Sequence, residues 1–539
     1  MKTIKIILII LTLSSQIRAQ ETPKPAITPY WGFGHWIWED QLHTSNTVRY
    51  LIDGYSRYNI PVDAVILDSP WSSAYNNFES DTALYPDFEN MLNHLHSKNI
   101  KLILWYTGFV NKESREVPLN QSPLYEPALN MGYTVNNGSL HSWHKGKGAH
   151  IDFTNPEAKA WWHKQVDKIL KQGIDGWKVD VSAEWLDDNV STSIGNLSNK
   201  EFKYYHYQDA FEYARSINPD FLCYTYGHVH VRNRYLDMAP QNYSHFQWTG
   251  DFTGDFKGLL DQLNFIYLSA QKGYGAPACE IGGYWGKPSD NKSFIRYAQL
   301  ASMVPAMVNG GRDGALGHHL PWNYSEKTIS VYRDYVNLHR KLAPYLFSTS
   351  VEGHLKGHSI IKECSNENNT HMLGDAIFVK PITTENDTVS IVFPDEHRWI
   401  NYWDSKEVFS SSDTITKYYP IEKYPVFMRA GAIIPVANSD KKSIELLIYP
   451  DGKSEYVFHK PSGQGVDYTD IRVTMNSTKG TLEIYSPDAY NFKLKLICFD
   501  APQSVSGADM HQYNPESSEL FLEKNGSDFK IKIKGLAAY

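Results

Sequence analysis

Short apolar runs and amphipathic stretches alternate from about residue 28 to residue 345. Ala64–Leu67 (AVIL) and Leu102–Trp105 (LILW) are compact apolar runs, each preceded by a polar stretch of helical character. Further runs follow at Gly176–Val179, Phe221–Tyr226, Phe246–Trp248, Ala276–Ile281 and Val304–Val308. Helical patterns lie between them at Pro156–Gln172, Lys200–Ile217 and Phe256–Lys272. The first of these opens on Asn155-Pro156 and closes at Gly173, good start and stop signals. With Tyr30–Phe33 as the first strand, about eight β/α units result. Buried strands alternating with helices predict a parallel sheet, and eight units over this length predict an α/β fold, a (β/α)8 TIM barrel at residues 25–345.

After Leu346 helical periodicity fades. Short β-type segments take over at Ala376–Val379, Val389–Phe393, Val426–Met428, Ile444–Tyr449, Thr481–Tyr485 and Phe492–Ile497. Turn signals such as Asp451-Gly452 and Lys479-Gly480 separate some of them. The pattern predicts C-terminal antiparallel β-sandwich domains, a proximal one at 346–435 and a distal one at 436–539. The distal domain lacks an evident aromatic platform and reads as a brace for the barrel.

Residues 1–19 read as a secretory signal peptide. Lys2 and Lys5 precede the apolar run Ile6–Leu13, and Ile17-Arg18-Ala19 forms a cleavage site before Gln20. The run is far shorter than the roughly 20 residues of a membrane span, so no integral membrane segment is expected in the mature chain. Secreted or periplasmic localisation follows. Losing residues 1–19 removes Lys2, Lys5 and Arg18 and no acid, taking the formal charge from −8 to −11. An acidic exported chain repels phosphate backbones, which argues against nucleic acid as a partner. Cys223, Cys279, Cys364 and Cys498 are too few for a disulfide framework and lack metal-type spacing; buried thiols, or one bridge, are the readings.

Of the 15 tryptophans, 13 precede residue 345, so the barrel carries the aromatic surface. Trp36, Trp38, Trp71, Trp105, Tyr106, Trp177, Trp185, Trp248 and Trp322 fall at or near predicted strand ends, where rings either stack on sugars or pack the rim. Three carboxylates follow apolar strands: Asp68 after AVIL, Asp180 after GIDGWKV, and Asp251 after FQWTG. The carboxyl ends of parallel barrel strands form the face where active sites assemble. Any one of these acids could simply cap a helix. Together, and with aromatics beside each, they suggest the pair of acids that glycoside hydrolysis needs. Seven histidines, His141, His144, His150, His228, His230, His318 and His319, lack a matching acid cluster, so no metal or other cofactor is expected. No phosphate-binding loop and no GxSxG elbow is present.

Several blocks in order resemble glycoside hydrolase family 31. GIDGWKVD (Gly173–Asp180) resembles its nucleophile strand. QWTGD (Gln247–Asp251) resembles its acid/base strand. CEIGGY (Cys279–Tyr284) resembles its D-I-G-G-F block, and Arg296 with Gln299 its R-W-x-Q helix. Pro321-Trp322, Arg340–Tyr345, Met372–Pro381 and Pro425–Pro435 resemble its closing helix and β-sandwich. The resemblance implies Asp180 as nucleophile and Asp251 as general acid/base. It implies sugar-hydroxyl contacts from Asp68 and makes Lys178, Glu280 and Arg296 further candidates, Arg296 either as a sugar contact or as a structural salt bridge on its helix; Trp105 and Trp248 at their strand ends and His318 complete the candidate substrate contacts. It implies retaining hydrolysis of terminal α-linked sugars from oligosaccharides or glycoconjugates.

Four departures stand out. The family's N-terminal β-sandwich has no counterpart before the barrel. Lys178-Val-Asp180 replaces the W-x-D form of starch-type enzymes and is more like the α-xylosidase and α-galactosidase branches. Val308-Asn309-Gly310 lacks the histidine of the family's R-N-H block, for which His318 or His319 is a substitute. Glu280 stands where Asp is usual. The alternatives are an α-glucosidase, a transglycosylase, and a sugar-binding relative without turnover; the presence of both Asp180 and Asp251 argues against the last.

Overall fold

The computed structural model describes residues 23–536 except 41–42, 232–233, 238, 286–289, 313–318, 366–367, 439 and 441–442. The segment read as a signal peptide and His318 lie outside the described residues.

Eight parallel strands form the barrel: β1 His35–Glu39, β2 Ala64–Leu67, β3 Lys101–Tyr106, β4 Gly176–Val179, β5 Leu222–Tyr226, β6 Phe246–Trp248, β7 Ala278–Ile281 and β8 Ala306–Gly311. The hydrogen-bonded order is β6-β5-β4-β3-β2-β1-β8-β7. A parallel bridge between Gln247 and Pro277, with Gln247 N–H donating to the Ala276 carbonyl at 3.1 Å, joins β6 to β7 and closes the ring. Among the described residues, seven helices flank it: α1 Ser45–Arg57, α2 Phe88–Ser97, α3 Pro156–Leu170, α4 Asn199–Ile217, α5 Phe256–Gln271, α6 Asn291–Ser302 and α7 Glu326–Lys356. Their starts are capped as their sequences require. Ser198 and Glu201 form a reciprocal capping box on α4, and the Asn155 side chain accepts from the Glu157 and Ala158 amides ahead of α3.

Within the barrel domain two elements depart furthest from the periodicity. Tyr30–Gly32 is a short 3-10 turn rather than a strand, and the first strand begins five residues later at His35. Aromatic Tyr30 and Trp31 mimic a strand because they plug the amino-terminal end of the barrel. The closing helix does not stop at Tyr345. It runs unbroken through Pro344 to Lys356 and ends on left-handed Gly357. The last turns of α7, beyond Tyr345, are buried against the C-terminal strands and keep their helical packing.

The proximal β-domain orders its main strands Ile361–Ser365, Thr370–Leu373, Ile377–Val379, Val426–Arg429, Trp399–Asn401 and Val408–Phe409. Its core is continuous with that of the barrel. The distal domain has a separate core around Leu446, Ile471, Leu482, Leu494, Leu520 and Ile531. Ile433–Val436 already pairs with Ser443–Ile448 in the distal sheet, so that sheet begins before the predicted seam at 435. The segments at Thr481–Tyr485 and Phe492–Ile497 are one 17-residue strand whose register shifts between Tyr485 and Tyr490. Ser443–Ile448 runs parallel to its second half, so the sheet is not wholly antiparallel. No disulfide forms among the four cysteines; Cys223, Cys279 and Cys498 are buried, whereas Cys364 is exposed. No helix among the described residues is long and apolar enough to cross a membrane.

Candidate active site

Side chains at alternate strand positions fill the barrel. Trp36 of β1 meets Tyr224 of β5 and Phe246 of β6 edge to face, at 5.6 and 5.2 Å between centroids, as an apolar middle layer. One layer nearer the carboxyl end, β1 places Trp38 and β6 places Trp248, whose planes lie at 77°. The Lys178 ammonium from β4 sits in that angle, 3.6 Å from the Trp38 ring centroid and 3.4 Å from that of Trp248. Its side chain is 1% exposed and reaches the Asp68 carboxylate at 2.5 Å. An ammonium stripped of water is tolerable only when paired, and here two indole faces and a carboxylate replace the water. Close approach of β1 and β8 makes this layer possible. A Cβ on Gly310 would lie 2.0 Å from the Trp38 carbonyl oxygen, so this position, where a histidine would be expected, admits no side chain.

Five carboxyl groups ring this lysine: Asp40 after β1, Asp68 after β2, Asp180 after β4, Asp251 after β6 and Glu280 within β7. Lys178 acts electrostatically on Asp40, Asp180, Asp251 and Glu280 and pairs directly with Asp68. Asp68 also accepts from Trp38 Nε1 at 2.9 Å and from the Ser69 amide at 2.7 Å.

The five differ in charge state. Asp180 is 8% exposed and accepts from Trp105 Nε1 at 2.8 Å, from the Val181 amide at 2.6 Å, and lies 3.3 Å from His144 Nε2. Burial opposes its ionisation, but His144, Lys178 and Trp105 outweigh that and hold its carboxyl well below the usual range. Asp251 behaves oppositely. It stands at the open mouth and its surface is still wetted, yet protein crowds its carboxyl. Dehydration pushes it up to about 8, Lys178 pulls it down, and Asp180, Asp40 and Asp68 push it further up. Its wetted surface means the full rise belongs to a state in which the carboxyl is covered. Burial likewise raises Glu280 to about 8 and Asp40 to about 7. Glu280 accepts from Tyr224 Oη at 3.0 Å, and Asp40 from Tyr284 Oη at 2.5 Å. Tyr284 in turn stacks on Trp38 at 5.4 Å.

Asp68, Lys178, Asp180, Asp251 and Glu280 are therefore brought together as expected from the chain. Arg296 is not. It is fully buried on α6 and points away from the pocket, donating to Asp387 at 2.7 Å and to the Tyr419 and Lys423 carbonyls. Its work is to clamp the barrel to the proximal β-domain, because α6 packs on the outside of the ring. Trp105 and Trp248 are not open stacking platforms either. Trp105 packs against Trp143 and Tyr75 and holds Asp180, while Trp248 is covered by Lys178 on one side and by Tyr226, stacked at 4.0 Å, on the other. Trp322 stacks on Tyr58, outside the ring. His319 lies at the ends of β7 and β8 with Nδ1 3.0 Å from the Ile281 carbonyl.

Two members of the site were missed. Asp40 follows β1 just as Asp68 follows β2, and it was hidden by starting that strand at Tyr30. His144 follows Trp143 in a three-stranded excursion between β3 and α3 that no barrel periodicity marks. In the chain a histidine there suggests a metal ligand; only the fold makes it a partner for a carboxylate.

Residues 25–349 match the model of the glycosyl hydrolases family 31 TIM-barrel domain, and residues 354–434 that of the glycosyl hydrolase family 31 C-terminal domain. An alpha-xylosidase of Emericella nidulans is 24% identical over 519 residues, covering 91% of this chain and 62% of its own. An alpha-glucosidase of Saccharolobus solfataricus is 23% identical, covering 86% and 69%. An isomaltosyltransferase of Sporosarcina globispora is 24% identical, covering 92% and 50%. The chain thus spans half to about two thirds of the length of these relatives. Among solved structures, a Flavobacterium johnsoniae GH31 dextranase superposes with a TM-score of 0.83 at 19% identity, over 95% of this chain and 71% of its own. That likeness speaks for the fold. With both family models matched in order along most of its length, the chain belongs to glycosyl hydrolase family 31.

Proposed function

We propose that this protein is an exported retaining exo-α-glycosidase acting on neutral, terminal α-linked sugars. The observation that carries the reading is the opposed charge state of two acids on one barrel mouth: Asp180 is held ionised and Asp251 is pushed toward its protonated form. In the first step Asp180 attacks the anomeric carbon while Asp251 gives its proton to the leaving oxygen. In the second, Asp251 takes a proton from water, and that water displaces Asp180. Two inversions restore the α configuration. His144, Trp105 and the Val181 amide fix the attacking carboxylate, and Lys178 stabilises the pocket's negative charge from below. Asp180, held ionised, repels an acidic sugar, which favours a neutral one.

The Lys178-Val-Asp180 form supports an α-xylosidase or α-galactosidase over an α-glucosidase. Relatives that transfer glycosyl groups keep a transglycosylase in view, and product analysis with and without an added acceptor sugar separates the two. A panel of aryl α-glycosides (gluco, galacto, xylo, N-acetylgalactosamino) tests the reading. One of them should be hydrolysed with retention; no turnover of any would sink it. Export is tested by mass spectrometry of the extracytoplasmic protein, which should begin at Gln20.

A further inference from the structure

The mouth of the pocket carries one more aromatic. Two consecutive left-handed glycines, Gly282 (φ 83°) and Gly283 (φ 70°), turn the chain out of β7. A Cβ on Gly283 would lie 2.6 Å from the Thr253 backbone, so only glycine lets this turn lie flat against the loop that holds Asp251. The Tyr284 and Trp285 amides both donate to the Phe252 carbonyl, at 2.7 and 2.9 Å, and Trp285 forms a parallel bridge with Thr253. Tyr284 turns inward to Trp38 and Asp40; Trp285 lies edge-on to it, their planes at 81°.

Trp285 is 45% exposed, the only tryptophan among the described residues with so open a surface. A single exposed apolar side chain is unremarkable by itself. This one is held in place: the Arg312 guanidinium lies 5.2 Å from its ring centroid, and the Arg312 amide donates to the Tyr284 carbonyl at 3.4 Å. A guanidinium over an indole is a favourable contact that fixes the ring without closing it off.

The acid/base must reach the glycosidic oxygen, so the departing group leaves on the Asp251 side of the mouth. That side is where the backbone bonds to Phe252 hold Trp285. We infer that Trp285, backed by Arg312, is the platform on which the leaving group's ring stacks. The platform rests on the glycosidase reading and extends it from the sugar that is cleaved to the group it is cleaved from. A planar aglycone or a pyranose with an apolar C–H face fits such a surface; a leaving group of one atom gains nothing from it.

The test uses matched substrates of the sugar that the panel identifies: its aryl α-glycoside and its α-glycosyl fluoride. The readout is the ratio of kcat/KM for the aryl glycoside to that for the fluoride. In Trp285→Ala this ratio should fall tenfold or more, and in Trp285→Phe it should return to within threefold of wild type. An unchanged ratio, whether both rates fall together or neither falls, overturns the platform. Failure of the wild-type protein to hydrolyse any aryl α-glycoside of the panel would instead overturn the glycosidase reading, and the platform with it.

Discussion

At the scale of the residue, the site is one lysine shared among acids of different charge state. The sign of each shift gives a pH profile. Asp180 must be ionised, and its carboxyl lies well below the usual range, so activity should not fail until strongly acidic pH. Asp251 must be protonated, and its raised pKa lets activity persist until pH climbs through about 8. The kcat profile, which reads the covered site, should therefore show a broad acidic plateau and a falling limb near pH 8, a macroscopic value shared with Glu280. Lys178→Met should move that limb upward, because the ammonium lowers Asp251. It should also bring in an acidic limb, because the ammonium helps to hold Asp180 ionised. Asp251→Ala should cost about 10²–10⁴-fold on substrates with poor leaving groups. Asp180→Ala should abolish turnover, and added azide should restore it with a β-glycosyl azide as product; full activity in that variant would refute the nucleophile. Glu280 gives a stability signature. Its folded pKa of about 8 lies above the unfolded 4.5, so the native state loses stability as pH rises between those values. Glu280→Gln removes that penalty. Its Tm should exceed that of wild type at pH 8 by more than at pH 5, measured by scanning calorimetry.

At the scale of the element, strand periodicity located most of the chemistry. Ala64–Leu67, Gly176–Val179 and Phe246–Trp248 were read to the residue, and each is followed by an acid of the site. The first strand was misplaced because Tyr30-Trp31 is as aromatic as a strand, and Asp40 was lost with it. His144 was illegible for a different reason: it belongs to an excursion whose position depends on tertiary contacts, and its role appears only when Asp180 stands beside it. Arg296 shows the converse. The helix around it is the one the family resemblance implies, but a buried arginine on an outer helix serves the neighbouring domain. Arg296→Met removes one partner of a buried ion pair. Asp387 keeps Lys292 at 2.9 Å, so the loss should fall at the lower end of the usual range, about 3 kcal/mol. Denaturant unfolding measures it. KM of the folded fraction should stay as in wild type, a result that a sugar contact from Arg296 would contradict.

At the scale of the whole molecule, the distal domain grips the barrel at the end opposite the acids. The tip of its hairpin between Lys453–Pro461 and Tyr468–Asn476 accepts backbone bonds from Tyr30 and Trp31, through the Gly465 and Gln464 carbonyls at 2.8 and 3.0 Å. Tyr456 donates to Ser348 of α7 at 2.8 Å. A cavity of about 900 Å³ remains in the seam, lined by Asp63, Lys101, Arg340, Lys341 and Lys460 among others, and lies far from the reacting groups. Replacing residues 462–466 by a two-residue turn should lower the Tm of the barrel itself, visible as a shift of the main calorimetric transition; an unaltered main transition would show that the tail does not brace it.

That grip joins the two ends of the chain in time as well as in space. Tyr30 and Trp31 emerge early in synthesis, just ahead of the strand that carries Trp38 and leads to Asp40. Their amides find their acceptors only when residues 464 and 465 have been made. The floor under the first strand is therefore completed by a part of the chain made more than 400 residues later.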